Sequence, residues 1–253
     1  MFINFLFFIF FVVIIYLLFD YNFNNIYILS ENELLTHLLD NNDDYYQKFN
    51  DNDFKVRNVD NLNEYKQKIK NSVCSPHNSI ILKIKKAIHI ADNKIKNISN
   101  KYNHSYYGID LNKLYNIKWK LGITCNDYYE NGLPHTRNDV IIFSKNQIYH
   151  DSIHSLSKTL IHEKVHIYQK LFNDDCHLYL KNKNFKKIKK ITKDDNIRVN
   201  PDIDNYIYID NKDRIYKAEY LPNPVSISDV RLYNNQQNFE HPLEDMAIEI
   251  ANL

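Results

Sequence analysis

Ser155-Leu-Ser-Lys-Thr-Leu-Ile-His-Glu-Lys-Val-His-Ile-Tyr-Gln-Lys-Leu-Phe172 decides how this chain is read. The stretch holds no Gly or Pro and has Ser152 or Ser155 as an N-cap, so it reads as one helix. Leu156, Leu160, Ile167 and Leu171 share one face, and Ile161, Val165, Tyr168 and Phe172 another. Only a narrow polar strip near Lys164 remains, which marks a buried helix. Within it, His162-Glu163-Lys164-Val165-His166 forms an HExxH pattern. Residues four apart stack on a helix, so both imidazoles can converge on one ion, with Glu163 beside it. Two His and a Glu on a buried helix are costly to desolvate without a partner, and a metal ion supplies one. With 11 His and 9 Glu in 253 residues, about 0.02 such matches are expected by chance. The competing reading is a pair of ordinary hydrogen-bonded core histidines. The chemistry implied by the pattern is Zn2+ at His162 and His166, with Glu163 as general base and acid toward a water and a leaving amine.

A catalytic zinc keeps three protein ligands, so a third must come from elsewhere. The best source is Phe239 to Ala251, where Pro242 can open a helix with Glu244 in its first turn. Ala247 would let that helix approach the HExxH helix closely, and Asp245 is a candidate acceptor for a ligand imidazole. Glu240, His241 and Glu249 stay open as rival ligands.

The charge balance of +1, from 32 basic and 31 acidic side chains, recruits no nucleic acid, and none is expected. Phe2 to Phe19 is an almost unbroken apolar run whose 18 residues span roughly 27 Å of hydrocarbon as a helix. No Lys or Arg precedes it and no small-residue cleavage site follows, so it reads as an uncleaved anchor with exoplasmic or lumenal placement favoured. Residues 1–20 are then the transmembrane anchor, 21–60 a tether and N-terminal helical segment, and 61–253 the catalytic domain. Asp40 to Asp53, polar and acidic, suits the tether. Cys74, Cys125 and Cys176 are too few and too widely spaced for a disulfide framework and read as small core residues, one lumenal bridge being an alternative.

Along the rest of the chain, Pro76 to Asn97 carries Ile80, Ile84, Ile88, Ala91 and Ile95 at helical spacing. Ile117 to Leu121 and Asp139 to Phe143 read as strands on either side of the turn-rich Asn131-Gly-Leu-Pro134. Lys181 to Lys193, with seven lysines, reads as a solvated face. Tyr206 to Ile209, Arg214 to Lys217 and Val225 to Ile227 read as short strands, and Leu243 to Ala251 as a final helix.

From Trp119 onward the ordered elements Gly132-Leu-Pro-His-Thr-Arg137, Thr159 to Gln169, Arg198-Val-Asn-Pro-Asp202, Ser226-Ile-Ser-Asp229 and His241-Pro-Leu-Glu244 resemble HExxH metallopeptidases of large DNA viruses, themselves similar to gluzincins. The resemblance implies His162, His166 and Glu244 as zinc ligands and Glu163 as general base. It also implies an α+β, zincin-like fold, with a mixed sheet over the active-site helix and a mainly helical C-terminal part. In such folds the sheet's edge strand, here Asp139 to Phe143, pairs with an extended peptide. His135, Arg137 and Arg198 would line the cleft, and Tyr208, Tyr216 or Tyr220 would steady the oxyanion. The expected function is a membrane-anchored zinc endopeptidase acting on a peptide or protein substrate. The alternative is a non-catalytic zinc-binding or peptide-binding membrane-anchored protein, including a viral envelope or interaction protein.

Overall fold

Successive residues of the strand Val140–Ser144 face two different cores: Val140 and Ile142 join one apolar cluster, Ile141 and Phe143 the other. The period-2 pleat therefore buries both faces, which is why this segment is apolar throughout rather than alternating. The computed structural model describes residues 25–40, 42–232 and 239–253, and the fold they form is α+β with nine α-helices.

The main sheet contains β1 (Ile26–Ile28), β2 (Trp119–Thr124), β3 (His135–Arg137) and β4 (Val140–Ser144), in the order β1, β2, β4, β3. The first three in that order run parallel, and β3 pairs antiparallel with β4. Asp139 to Phe143, expected at the sheet's edge, is thus an interior strand, and the edge belongs to β3. β4 already pairs with β2 on one side, so its hairpin partner β3 takes the margin on the other.

One face of the sheet packs on helices α3 (Asn78–Lys101) and α4 (Ile153–Leu171), introduced after α1 (Glu31–Leu39) and α2 (Leu62–Lys70) in the chain. The stripe Ile80, Ile84, Ile88, Ala91, Ile95 and Ile98 buries α3 against α4, as its spacing requires. The other face carries α1 and α2. Leu34 and Leu38 of α1 are fully buried there and contribute roughly 1.5–3 kcal/mol each. Gly122 of β2 makes that approach possible, because a Cβ in its place would lie 2.4 Å from Leu34 Cδ1.

Residues 25–60, read from sequence as a tether with a helical segment, are therefore a layer of the fold. β1 pairs with β2, while Tyr45, Tyr46 and Phe49 are buried beside α2. Their Asn- and Asp-rich context masks three large aromatic side chains that have to leave water. The apolar run expected to span a membrane lies outside the described residues, among which no helix is long and apolar enough to cross a bilayer.

The C-terminal part, expected to be mainly helical, is mixed. Between the helix Asn173–Asn182 and α5 (Pro242–Asn252) lie an antiparallel sheet of Lys186–Lys190, Tyr206–Ile209 and Ile215–Tyr216, and a hairpin of Ala218–Tyr220 with Val230–Leu232. Within the lysine run, Lys186–Lys190 is an exposed edge strand. Val225 to Ile227 is no strand, because the Asp229 carboxylate accepts from the Val225 and Ser226 amides and holds a turn. Cys74 and Cys125, read as core residues, form a disulfide with their Cα atoms 5.5 Å apart, and Cys176 is free and buried.

Candidate metal centre

Helix α4 begins at Ser152, whose hydroxyl accepts from the Ser155 amide at 3.0 Å, and runs without interruption through the HExxH residues. Its two histidines emerge one turn apart with rings at 79° and centroids 4.7 Å apart. Helix α5 lies along α4 with Ala247 fully buried, and its first turn brings Glu244 to the imidazoles. The three side chains close a triangle through four atoms: His162 Nε2 to His166 Nε2 is 3.0 Å, His162 Nε2 to Glu244 Oε2 is 3.3 Å, and His166 Nε2 to Glu244 Oε1 is 3.4 Å. Ligands about 2.05 Å from a tetrahedral ion lie about 3.3 Å from one another, so these spacings suit a small divalent cation. Two imidazoles with one carboxylate form a donor set for a transition metal rather than for Mg2+ or Ca2+.

Each rival ligand is committed elsewhere. Glu240 accepts from Arg198 and Asn200. His241 caps α5 by accepting from the Leu243 amide through Nδ1 and donates from Nε2 to Asp204. Glu249 accepts from Tyr179 and pairs with Lys183. Asp245, expected to orient an imidazole, faces Tyr179, Glu249 and Lys183 instead, where burial and the Glu249 charge push its carboxyl up to about 6.

The orienting role falls to Gln169. Its Oε1 accepts from His166 Nδ1 at 2.9 Å, which leaves Nε2 of that ring for the ion, and its Nε2 donates to the Leu243 carbonyl at 2.8 Å. One side chain thus fixes a ligand's tautomer and ties α4 to the start of α5. Asn200 similarly donates to Glu244 Oε1 at 2.7 Å. Gln169 lies three residues beyond His166, on the same helical face, and that spacing was the available signal for it.

Glu163 is 3% exposed, and its Oε2 has no hydrogen-bond partner among the described residues. Burial pushes its carboxyl up to about 7 against the opposing pull of His162 and His166. An unpartnered buried carboxylate oxygen costs about 1–3 kcal/mol or more, a cost that suits a group kept free for a ligand. Burial opposes a charge on His166, but the Glu244 carboxylate outweighs it and holds that imidazole up at about 10 in the metal-free protein. The same pairing keeps Glu244 well below the usual carboxylate range despite its burial. Lys164, inside the motif, is buried under the Trp119 ring at 4.0 Å and paired with Asp92, and burial pushes it down to about 8.

The histidines and Glu163 open on a cleft of about 150 Å³, which is also lined by Tyr45, Arg57, Glu130, His135, Arg198 and Asp202. Of the three expected cleft residues, His135 and Arg198 line it. Arg137 does not, being buried in an ion pair with Asp43 between the rings of Tyr45 and Tyr46. Tyr208, Tyr216 and Tyr220 lie outside it, with their hydroxyls bound to Asp204, Asp210 and Asp53. Sequence reasoning missed Tyr45, a buried cleft residue whose hydroxyl has no partner among the described residues. Arg57 and Arg198 are neutralised by Glu130 and Glu240.

Comparison with family models, with curated proteins and with solved structures returns no match, so the reading of this site rests on its geometry.

Proposed function

We propose that this chain is a zinc-dependent peptide hydrolase, with His162, His166 and Glu244 holding the ion. The observation that carries the reading is the closed His-His-Glu triangle beside a buried carboxylate oxygen left without a partner. Zinc held there supplies Lewis acidity, polarising a carbonyl and lowering the pKa of water beside it. Glu163 accepts a proton at its free oxygen from the attacking water and returns it to the departing nitrogen. Tyr45, neutral because burial raises its hydroxyl well above the ordinary range, donates to the substrate's carbonyl oxygen. Gln169 and Asn200 keep the ligands oriented.

An antiparallel edge strand beside the HExxH helix, and a glutamate arriving on a later helix, support a zincin-like, gluzincin-type architecture. Attachment to a membrane through residues 1–20 remains part of the proposal, and the Cys74–Cys125 bridge favours an oxidising, lumenal or exoplasmic setting. Zinc-loaded protein should cleave components of a mixed peptide pool, and a chelator should stop it. Glu163→Gln should abolish cleavage and keep the metal; full activity in that variant refutes the mechanism, and stoichiometric zinc with no cleavage at all returns the non-catalytic alternative.

A further inference from the structure

The edge strand β3 is buried along its whole length, and the chain surfaces only before it. Leu133, just before it, is 42% exposed, whereas Thr136 and Arg137 have no exposed surface. Both outward backbone groups of Thr136 are taken: its amide donates to Asp202 Oδ1 at 3.1 Å, and its carbonyl accepts from Lys170 Nζ at 3.2 Å. The Arg137 carbonyl accepts from His37 Nε2 at 2.9 Å. A peptide lying along this edge therefore cannot continue past Thr136. The cleft itself, at about 150 Å³, is smaller than the roughly 300–1,000 Å³ of drug-sized ligand sites, which suits the end of a chain better than its middle.

The seal is asymmetric in charge. Lys170 spends its donors on the Thr136 carbonyl, the Thr136 hydroxyl and Asp202 Oδ1. Asp202 receives all its contacts on Oδ1, from the Thr136 amide, the Thr136 hydroxyl and Lys170. Its Oδ2 takes no hydrogen bond from any described residue, and the side chain, 8% exposed, lines both this cleft and the neighbouring cavity bordered by Lys48 and Lys170. The closed end thus has an acceptor to spare and no ammonium hydrogen left, which favours a cation.

We propose that the cleft takes the amino terminus of a peptide, with Asp202 Oδ2 accepting from the α-ammonium group, so that the protein removes residues from that end. The inference rests on the peptidase reading above. The reaction adds one water across the C–N bond: the hydroxyl goes to the released amino-terminal fragment's carboxyl and the proton to the new amino terminus.

The test uses the zinc-loaded full-length chain and one peptide sequence in three forms: free at its amino terminus, acetylated there, and extended there by several residues. Mass spectrometry of the products should find cuts only within the first residues, sequential in the extended form, with acetylation slowing cleavage roughly ten- to hundred-fold through loss of a charge-assisted hydrogen bond. Asp202→Asn keeps an acceptor for Thr136, and it should abolish the preference for the free over the acetylated form, mainly through KM. If Asp202 were merely structural, both rates would fall together and the preference would stay; that outcome, or internal cuts in the acetylated peptide as fast as terminal cuts in the free one, overturns the inference while leaving a peptidase. Absence of chelator-sensitive cleavage of any form refutes the peptidase reading, and the inference with it.

Discussion

Replacing Gln169 by Met removes both of its hydrogen bonds while nearly preserving length and volume. The ring of His166 then loses the acceptor 2.9 Å from its Nδ1, and the Leu243 carbonyl loses its donor at 2.8 Å. Losing a partner of this kind typically weakens metal affinity about 10- to 100-fold, or about 1.4–2.7 kcal/mol. The metal-free protein should lose less, on the order of 1–2 kcal/mol, because the buried His166 Nδ1 hydrogen is left without its acceptor. The variant's deficit should thus grow when metal is added, since the stabilisation conferred by a ligand scales with its affinity. Competition with a chelating dye measures affinity directly, and thermal melts with and without zinc measure the two stabilities. An unchanged affinity, with melting lowered equally in both states, would refute the idea that Gln169 orients a ligand and would leave it as a simple tie between two helices.

Metal binding should depend on pH through His166. Because Glu244 holds that imidazole up at about 10 in the metal-free protein, the ion must displace a proton, and apparent affinity should rise about tenfold per unit between pH 7 and 9; a flat profile in the same dye assay contradicts this. Tyr45→Phe should lower kcat about 10²- to 10³-fold with zinc affinity unchanged, as expected for loss of one donor to a developing oxyanion; wild-type kcat would remove Tyr45 from the chemistry. Cys125→Ser opens a bridge spanning 51 residues and should cost about 4 kcal/mol in denaturant titrations, and a loss near zero would count against the bridge.

The metal site was legible because its signals are local. Helical periodicity places His162 over His166, and a proline followed by a glutamate in a first turn marks Glu244. Gln169 obeys the same periodicity, but an amide carries no signature until its two partners are known. Long-range facts were hidden for different reasons. Whether Val140–Ser144 is interior depends on the strand that turns back on it, and that strand, His135–Arg137, carries no apolar pattern to announce it. Asp202 matters through Thr136, a partner 66 residues away, and that pairing leaves no mark in either segment. The buried layer of residues 25–60 was disguised by polar neighbours: Tyr45, Tyr46 and Phe49 sit among Asn and Asp, yet burial is decided residue by residue.

The order of the main sheet also separates its two margins. β1 and β3 form its opposite margins, roughly 14 Å apart across three ladder spacings. The described chain enters β1 on the margin opposite β3, so its first residues and the edge beside the HExxH helix lie at opposite ends of the sheet.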